Sequence, residues 1–347
     1  MKKRFFAAGL AMLAAIAAVA AGTANSAVAS RSGDQLVGAG STFVSPLVSQ
    51  WVADYPSKTG VAVVYQPIGS GGGIQAITNK TVDFGASDAP LTTDQFSSCG
   101  DCVQVPWAIG ATSVMYNLSG APAHLKITGP VIAGIYLGTI KSWNDPAIAK
   151  LNPGANLPST AITPVYRSDG SGTSYNFTDY LSKVSKAFKS KVGVSTQPPF
   201  PTGVGGKGSS GVAGVVSKTD GAIGYADVAF AIKNHLKFFF VKNSAGKFAG
   251  PGLRGIAAAA STIKKGDVPA NNEMHIVDPS AKVPQAYPIC TFTYVIVHKA
   301  TSKAALLRKF IFYALTGGQA FSPKLLYGKI PVPVLVAAEK TLSKIHS

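Results

Sequence analysis

Three stretches of the chain set glycine and hydroxyl residues directly ahead of a helical pattern. They are Gly38-Ala-Gly-Ser-Thr-Phe43, Gly69-Ser-Gly-Gly-Gly73 and Asp169-Gly-Ser-Gly-Thr-Ser174. The first amides of a helix have no intrahelical partner and carry partial positive charge, so such a start holds an anion well. Glycine lets the backbone approach a ligand, and serine and threonine add hydroxyl donors. N-capping by Ser or Thr accounts for any one of these loops taken alone. Three in one chain, one of them just beyond Arg167, point to an oxyanion site.

The same segments lack the patterns of nucleotide binding and of catalysis. Gly38-x-Gly40 runs into Phe43 where a dinucleotide fingerprint wants glycine, and Gly206-Lys207-Gly208 lacks the upstream glycine of a phosphate loop. Ser171 stands in Gly-Ser-Gly rather than Gly-x-Ser-x-Gly, so no nucleophile elbow is present. His124, His235, His275, His298 and His346 lie far apart without H-x-x-x-H spacing and read as surface or core histidines. No catalytic residue, metal or cofactor is therefore expected. Cys99 and Cys102 form a C-x-x-C around a Gly-Asp turn. A structural zinc would need two further ligands at matching spacing, and a thioredoxin-like pair would open a helix. A small loop-tying disulfide is the favoured reading, and Cys290, inside an apolar run, reads as a buried thiol.

These loops need elements to position them, and the apolar pattern supplies an α/β arrangement. Leu47, Val48, Trp51, Val52 and Tyr55 form one helical stripe; Phe177, Leu181, Val184 and Phe188 a second; Leu306, Leu307, Phe310, Ile311 and Ala314 a third. Val61–Tyr65, Val103–Met115 and Tyr294–Val297 read as strands. The glycine-dense stretch Gly203–Gly214 reads as an exposed loop.

Met1-Lys-Lys-Arg4, the apolar run Phe5–Ala21 and Ala27-Val-Ala29 have the form of an export signal spanning residues 1–29, cleaved after Ala29. As a membrane anchor, the 17-residue, Ala-dominated run is at the short edge of what spans a bilayer. Export makes an oxidised cysteine pair plausible chemistry, and a mature chain without stable membrane insertion is expected. The formal net charge is +17, but it is unevenly placed. Residues 30–180 hold 7 Lys/Arg and 9 Asp/Glu, whereas residues 181–347 hold 22 and 6. The surplus is dispersed single Lys with little Arg, which reads as a solvated face rather than a nucleic-acid surface.

Gly-Ala-Gly-Ser-Thr-Phe43, Tyr65-Gln-Pro-Ile-Gly-Ser-Gly-Gly-Gly73, Val82-Asp-Phe-Gly-Ala-Ser-Asp-Ala-Pro90 and Arg167-Ser-Asp-Gly-Ser-Gly-Thr-Ser174 occur in that order. With Ile135-Tyr-Leu-Gly138, Lys141-Ser-Trp-Asn144, Gly203–Gly208, Gly221-Ala-Ile-Gly-Tyr225 and Ile296-Val-His-Lys299, the chain resembles the periplasmic phosphate-binding proteins of the phosphate ABC transporter. The resemblance is close over residues 36–230, looser over 285–330 and weak over 231–284. It implies a two-lobed type II periplasmic binding protein fold, each lobe a mixed sheet flanked by helices, with two crossover strands as hinge. Residues 30–117 with 289–347 would form lobe I and 118–288 lobe II, with crossings near Tyr116-Asn117 and Tyr287-Pro288.

The resemblance further implies a monomeric, non-enzymatic periplasmic protein that takes up inorganic phosphate and meets the inner-membrane permease subunits of that transporter. By motif, Thr42 Oγ1 and the Phe43 amide, Ser70, and Ser171, Gly172 and Thr173 would donate to phosphate. Arg167 would add charge-assisted bonds, with Asp169 orienting it. Asp88, otherwise a turn or cap aspartate, would accept a hydrogen bond from the proton that phosphate keeps and repel sulfate, which has none to give. Ser41 stands where the family commonly has alanine. The C-x-x-C lies outside the family's site. Another oxyanion, sulfate or molybdate, is the competing ligand, and an exported phosphatase-like enzyme the competing class.

Overall fold

The computed structural model describes residues 35–347, and the export signal expected at 1–29 lies outside the described residues. Strand and helix alternate from the start: β1 (Gln35–Gly40), α1 (Ser45–Thr59), β2 (Ala62–Gln66), α2 (Ser70–Thr78), β3 (Phe84–Ser87), α3 (Thr93–Cys99) and the long β4 (Cys102–Tyr116). The middle carries β5 (Lys126–Ile127), α4 (Gly129–Tyr136), α5 (Pro146–Ala149), β6 (Thr163–Arg167), α6 (Gly172–Val184) and α7 (Lys186–Lys191). Then come β7 (Val204–Gly206), α8 (Gly208–Lys218), β8 (Ala222–Asp227) and α9 (Val228–Lys233). The last part holds β9 (Lys237–Phe238), β10 (Phe240–Lys242), β11 (Phe248–Ala249), α10 (Leu253–Ala260), β12 (Cys290–His298), α11 (Ala304–Leu315) and α12 (Val332–Leu342).

The main sheet is mixed, ordered β2-β1-β3-β12-β4-β8-β6-β7, with β9 beside β4. β1 is parallel to β2 and β3, and β6 is parallel to β7 and β8, as helical crossovers require. Two antiparallel strands, β12 and β4, stand between these parallel groups. β4 changes partner along its length: Cys102–Ala111 pair with β12, and Thr112–Tyr116 pair with β8. In open α/β sheets, ligands bind beyond the carboxyl ends of the parallel strands. Here those ends are Gly40, Gln66, Ser87, Arg167, Gly206 and Asp227, and the three glycine and hydroxyl loops follow the ends of β1, β2 and β6.

Apolar stripes fix the helices on this sheet. Leu47, Val48, Trp51 and Tyr55 of α1 are buried, and the Trp51 ring meets Trp107 of β4 edge-on at 5.1 Å. Each such side chain, fully buried, contributes about 1.5–3 kcal/mol. The stripe expected over Phe177–Phe188 is broken: Ser185 is extended and caps α7 by accepting from Phe188 N–H, so two short helices replace one. The exposed loop expected at Gly203–Gly214 is instead β7 and most of α8. Gly203 and Gly208, at φ +113° and +68°, still turn the chain, but Gly206 serves close packing. A Cβ on Gly206 would lie 2.6 Å from the Val212 nitrogen, so the sequence's punctuation signal misled.

α2 is held against β1 with no room for a side chain at Gly73, where a Cβ would lie 2.4 Å from Gly40 Cα and 2.8 Å from Ala39 O. Both neighbours are backbone and cannot rotate away. Gly73→Ala should therefore destabilise the fold by roughly 1–3 kcal/mol through overpacking, read as a lower urea midpoint at unchanged slope. An unchanged midpoint would show that α2 is free to lift off the sheet.

Candidate functional site

Asp88 follows β3 directly and is only 2% exposed. Its Oδ1 accepts from Ser41 Oγ, and its Oδ2 accepts from Ser70 Oγ at 3.3 Å and from Thr173 Oγ1 at 3.5 Å. Asp88 N–H donates back to Ser70 Oγ at 3.2 Å. Burial pushes the carboxyl up from its usual 3.8 to about 6, against the opposing pull of Ser41, Arg167, Ser70 and Thr173. Loops after β1, β2 and β6 thus meet on the one carboxylate that follows β3.

Arg167, the last residue of β6, is 4% exposed. Its Nε and Nη2 fork onto Asp169 at 2.8 and 2.5 Å, and Nη1 donates to Thr173 Oγ1 at 3.4 Å. A guanidinium has five N–H bonds, so two are without partners among the described residues. Burial acts to raise the Asp169 carboxyl, but the Arg167 fork and the Gly208 amide outweigh it and hold the group below the usual carboxylate range. Two neighbouring carboxyls are therefore driven apart by which of them has the arginine in hand. Gly69, at φ +92°, is where Asp169 approaches; a Cβ there would lie 2.3 Å from its Oδ2.

Thr42 Oγ1 accepts from Ser209 N–H at 3.1 Å and shares a hydrogen bond with Ser209 Oγ at 2.9 Å. The start of α8 is thereby a fourth helix end at the cluster, joined also by Gly208 N–H to Asp169 Oδ1 at 2.9 Å. Gly71 N–H bonds Gly170 O at 2.9 Å, tying the second loop to the third. Gly172 and Thr173 open α6, where amides have no intrahelical partner. Ser171 is otherwise engaged: its Oγ caps Ser174 N–H and its own amide bonds Thr196 O. Phe43 N–H is also engaged, donating to Ser41 Oγ at 3.0 Å. Phe43 O accepts from Tyr327 Oη at 2.6 Å.

Sequence reasoning missed Ser209 and Gly208, which it assigned to a loop, and Ser41, noted only as a departure. It also missed Asp227, fully buried at the end of β8. Asp227 Oδ1 accepts from Ala229 N–H at 2.9 Å and from Tyr327 Oη at 3.3 Å, while Oδ2 has no partner among the described residues. Burial raises this carboxyl well above its usual range. Its only sequence signal is that of an ordinary helix cap.

Away from the cluster, Cys99 and Cys102 are joined as a disulfide, and Cys290 is a buried free thiol. The His298 ring lies 4.0 and 3.8 Å from the two sulfurs, held by Asp101 at 2.5 Å and Ile77 O at 2.9 Å. With the sulfurs bonded to each other and both ring nitrogens turned to oxygens, that group offers a metal no ready ligand set. No described helix is long and apolar enough to cross a membrane.

A family model described as a PBP superfamily domain matches residues 25–317. A protein of Xylella fastidiosa (strain 9a5c) named phosphate-binding protein PstS is 42% identical over 303 residues, covering 86% of this chain and 82% of that one. The protein of the same name from Pasteurella multocida is 40% identical, covering 86% and 87%. Among solved structures, a high affinity periplasmic phosphate-binding protein (PfluDING) bound with phosphate superposes with a TM-score of 0.71 at 22% identity, over 88% of this chain and 93% of that one. That last likeness establishes the mixed α/β fold of the periplasmic binding proteins.

The raised Asp88 carboxyl fixes a sign. The fold prefers the protonated form, so its contribution to stability is most favourable below 3.8 and is lost as pH rises to about 6. At about 1.4 kcal/mol per tenfold change in ionisation, the whole window is worth roughly 3 kcal/mol. Urea unfolding of ligand-free Asp88→Asn should therefore shift in the variant's favour, relative to wild type, by up to roughly that amount between about pH 4 and about pH 6. A difference independent of pH would show that the carboxyl is ionised at no cost.

Proposed function

Because the chain belongs to the family of PstS phosphate-binding proteins, we propose that it captures inorganic phosphate at the cluster around Asp88 and Arg167 and delivers it to an ABC transporter for import. The observation that carries this reading is one buried acceptor set among donors. Among the described residues Asp88 is the one carboxylate turned to Ser41, Ser70 and Thr173, and Arg167 beside it keeps two N–H bonds to give. Phosphate retains a proton near neutral pH, so it satisfies Asp88 and the surrounding donors together. Sulfate would leave a desolvated carboxylate against an anion. Thr42, Phe43, Ser70, Gly172 and Thr173 supply donors from helix starts in this scheme, and Ser171 holds the start of α6 in place.

The two parallel groups of the main sheet act as the lobes, residues 30–117 with 289–347 and residues 118–288. They close by bending where β4 and the chain before β12 pass between them. A leader ending at Ala29 sends the chain to the periplasm, where it works as a monomer with the permease subunits of the transporter. Holding phosphate without a nucleophile, it releases its ligand unchanged.

Calorimetry of the mature protein, stripped of bound ligand, tests the assignment with phosphate, sulfate and molybdate. Phosphate should bind stoichiometrically and far more tightly than sulfate. Asp88→Asn should cut the phosphate-over-sulfate ratio by roughly tenfold or more, since a buried unpaired acceptor is worth about 1–3 kcal/mol. An equal ratio in wild type and variant removes Asp88 as the discriminating group, and wild-type preference for sulfate or molybdate removes the phosphate reading.

A further inference from the structure

Ser41 Oγ has two opposite bonds at once. It donates to Asp88 Oδ1, and it accepts from Phe43 N–H at 3.0 Å and, more weakly, from Val44 N–H at 3.3 Å. A buried carboxylate facing a backbone N–H is the complement of a hydroxyl group, and P–O–H presents the same donor and acceptor as C–O–H. We infer that the Ser41 hydroxyl is an internal stand-in for the protonated oxygen of the incoming anion, occupying Asp88 and the Phe43 amide until the anion displaces it. This rests on the phosphate reading above and adds to it a residue that sets affinity and selectivity.

The geometry allows displacement without a loop movement. The Ser41 backbone is fixed from both sides, its N–H donating to Ala86 O at 2.9 Å and its carbonyl accepting from Tyr65 Oη at 2.8 Å. The side chain has one free torsion, with three staggered positions. A backbone amide carries a single hydrogen, so Phe43 N–H cannot fully serve Ser41 and an anion together. Binding therefore replaces bonds already made, and the chain gives up affinity that alanine at this position would keep.

Selectivity follows from the same exchange. With Ser41 in place, Oδ1 of Asp88 is already satisfied, and an anion without a proton meets a partly quenched acceptor. With the hydroxyl removed, only an anion that brings its own proton can satisfy Oδ1. The ionisable groups facing Asp88 are Arg167 from β6, Tyr65 from β2, and Asp227 and Tyr327 behind the first loop. None of them is bonded to Oδ1.

Ser41→Ala tests the inference with inorganic phosphate and with sulfate. Calorimetry should show phosphate binding roughly threefold to thirtyfold tighter than in wild type, with sulfate unchanged or weaker. Phosphate affinity that is equal or lower in the variant overturns the inference while leaving wild-type phosphate binding, and so the functional reading, intact. A readout without any anion covers the case in which that reading itself fails. In ligand-free Ser41→Ala, carboxyl-carbon NMR should place the Asp88 titration higher than in wild type, and the Phe43 amide should exchange faster. An unmoved titration and unchanged exchange would mean that Ser41 holds neither group.

Discussion

A carboxylate taken out of water is costly unless its lone pairs are met, and the site is organised around meeting those of Asp88. Three hydroxyls from three loops turn to it, and each of those loops follows the carboxyl end of a different parallel strand. Burial still wins over their combined pull and leaves the group near neutrality. That residual hunger for a proton is what separates the arrangement from a plain anion trap. Arg167 could have quenched it, but its fork is held by Asp169, so the positive charge is near without being spent.

The donors gathered around Asp88 are thus mostly neutral: hydroxyls, helix-start amides and one guanidinium. This places the chain's large positive charge in a different role from the site. The loops around Asp88 come chiefly from residues 30–180, where acids slightly outnumber bases, and the lysines crowd the later part of the sequence. A field from dispersed lysines raises the local concentration of any anion and favours none. Discrimination has to come from contacts a few ångströms from the ligand.

Much of this was legible in the sequence. Hydroxyl and glycine segments ahead of apolar stripes gave the three loops, and the runs Val61–Tyr65, Val103–Met115 and Tyr294–Val297 correspond to β2, β4 and β12. Part of what escaped came from reading glycine as freedom to turn. At Gly206 it is room for a neighbouring backbone, so the start of α8, with Ser209 bonded to Thr42, was hidden inside an apparent loop. Ser41 escaped because a serine's role depends on which partners the fold brings within reach. Asp227 escaped because a buried carboxyl and a helix cap look alike in a string of letters. Ser185 was legible in principle, as a capping residue inside a stripe, and was outvoted by the periodicity around it.

β4 has a consequence for how the molecule comes apart. Its fifteen residues are hydrogen-bonded to β12 over one stretch and to β8 over the next, with no gap between Ala111 and Thr112. Neither parallel group can release its share of that strand without fraying the ladder the other depends on. The strand the two groups share thus ties their fates in unfolding. A sheet joined through one such strand is in this way kept from separating into two independently melting halves.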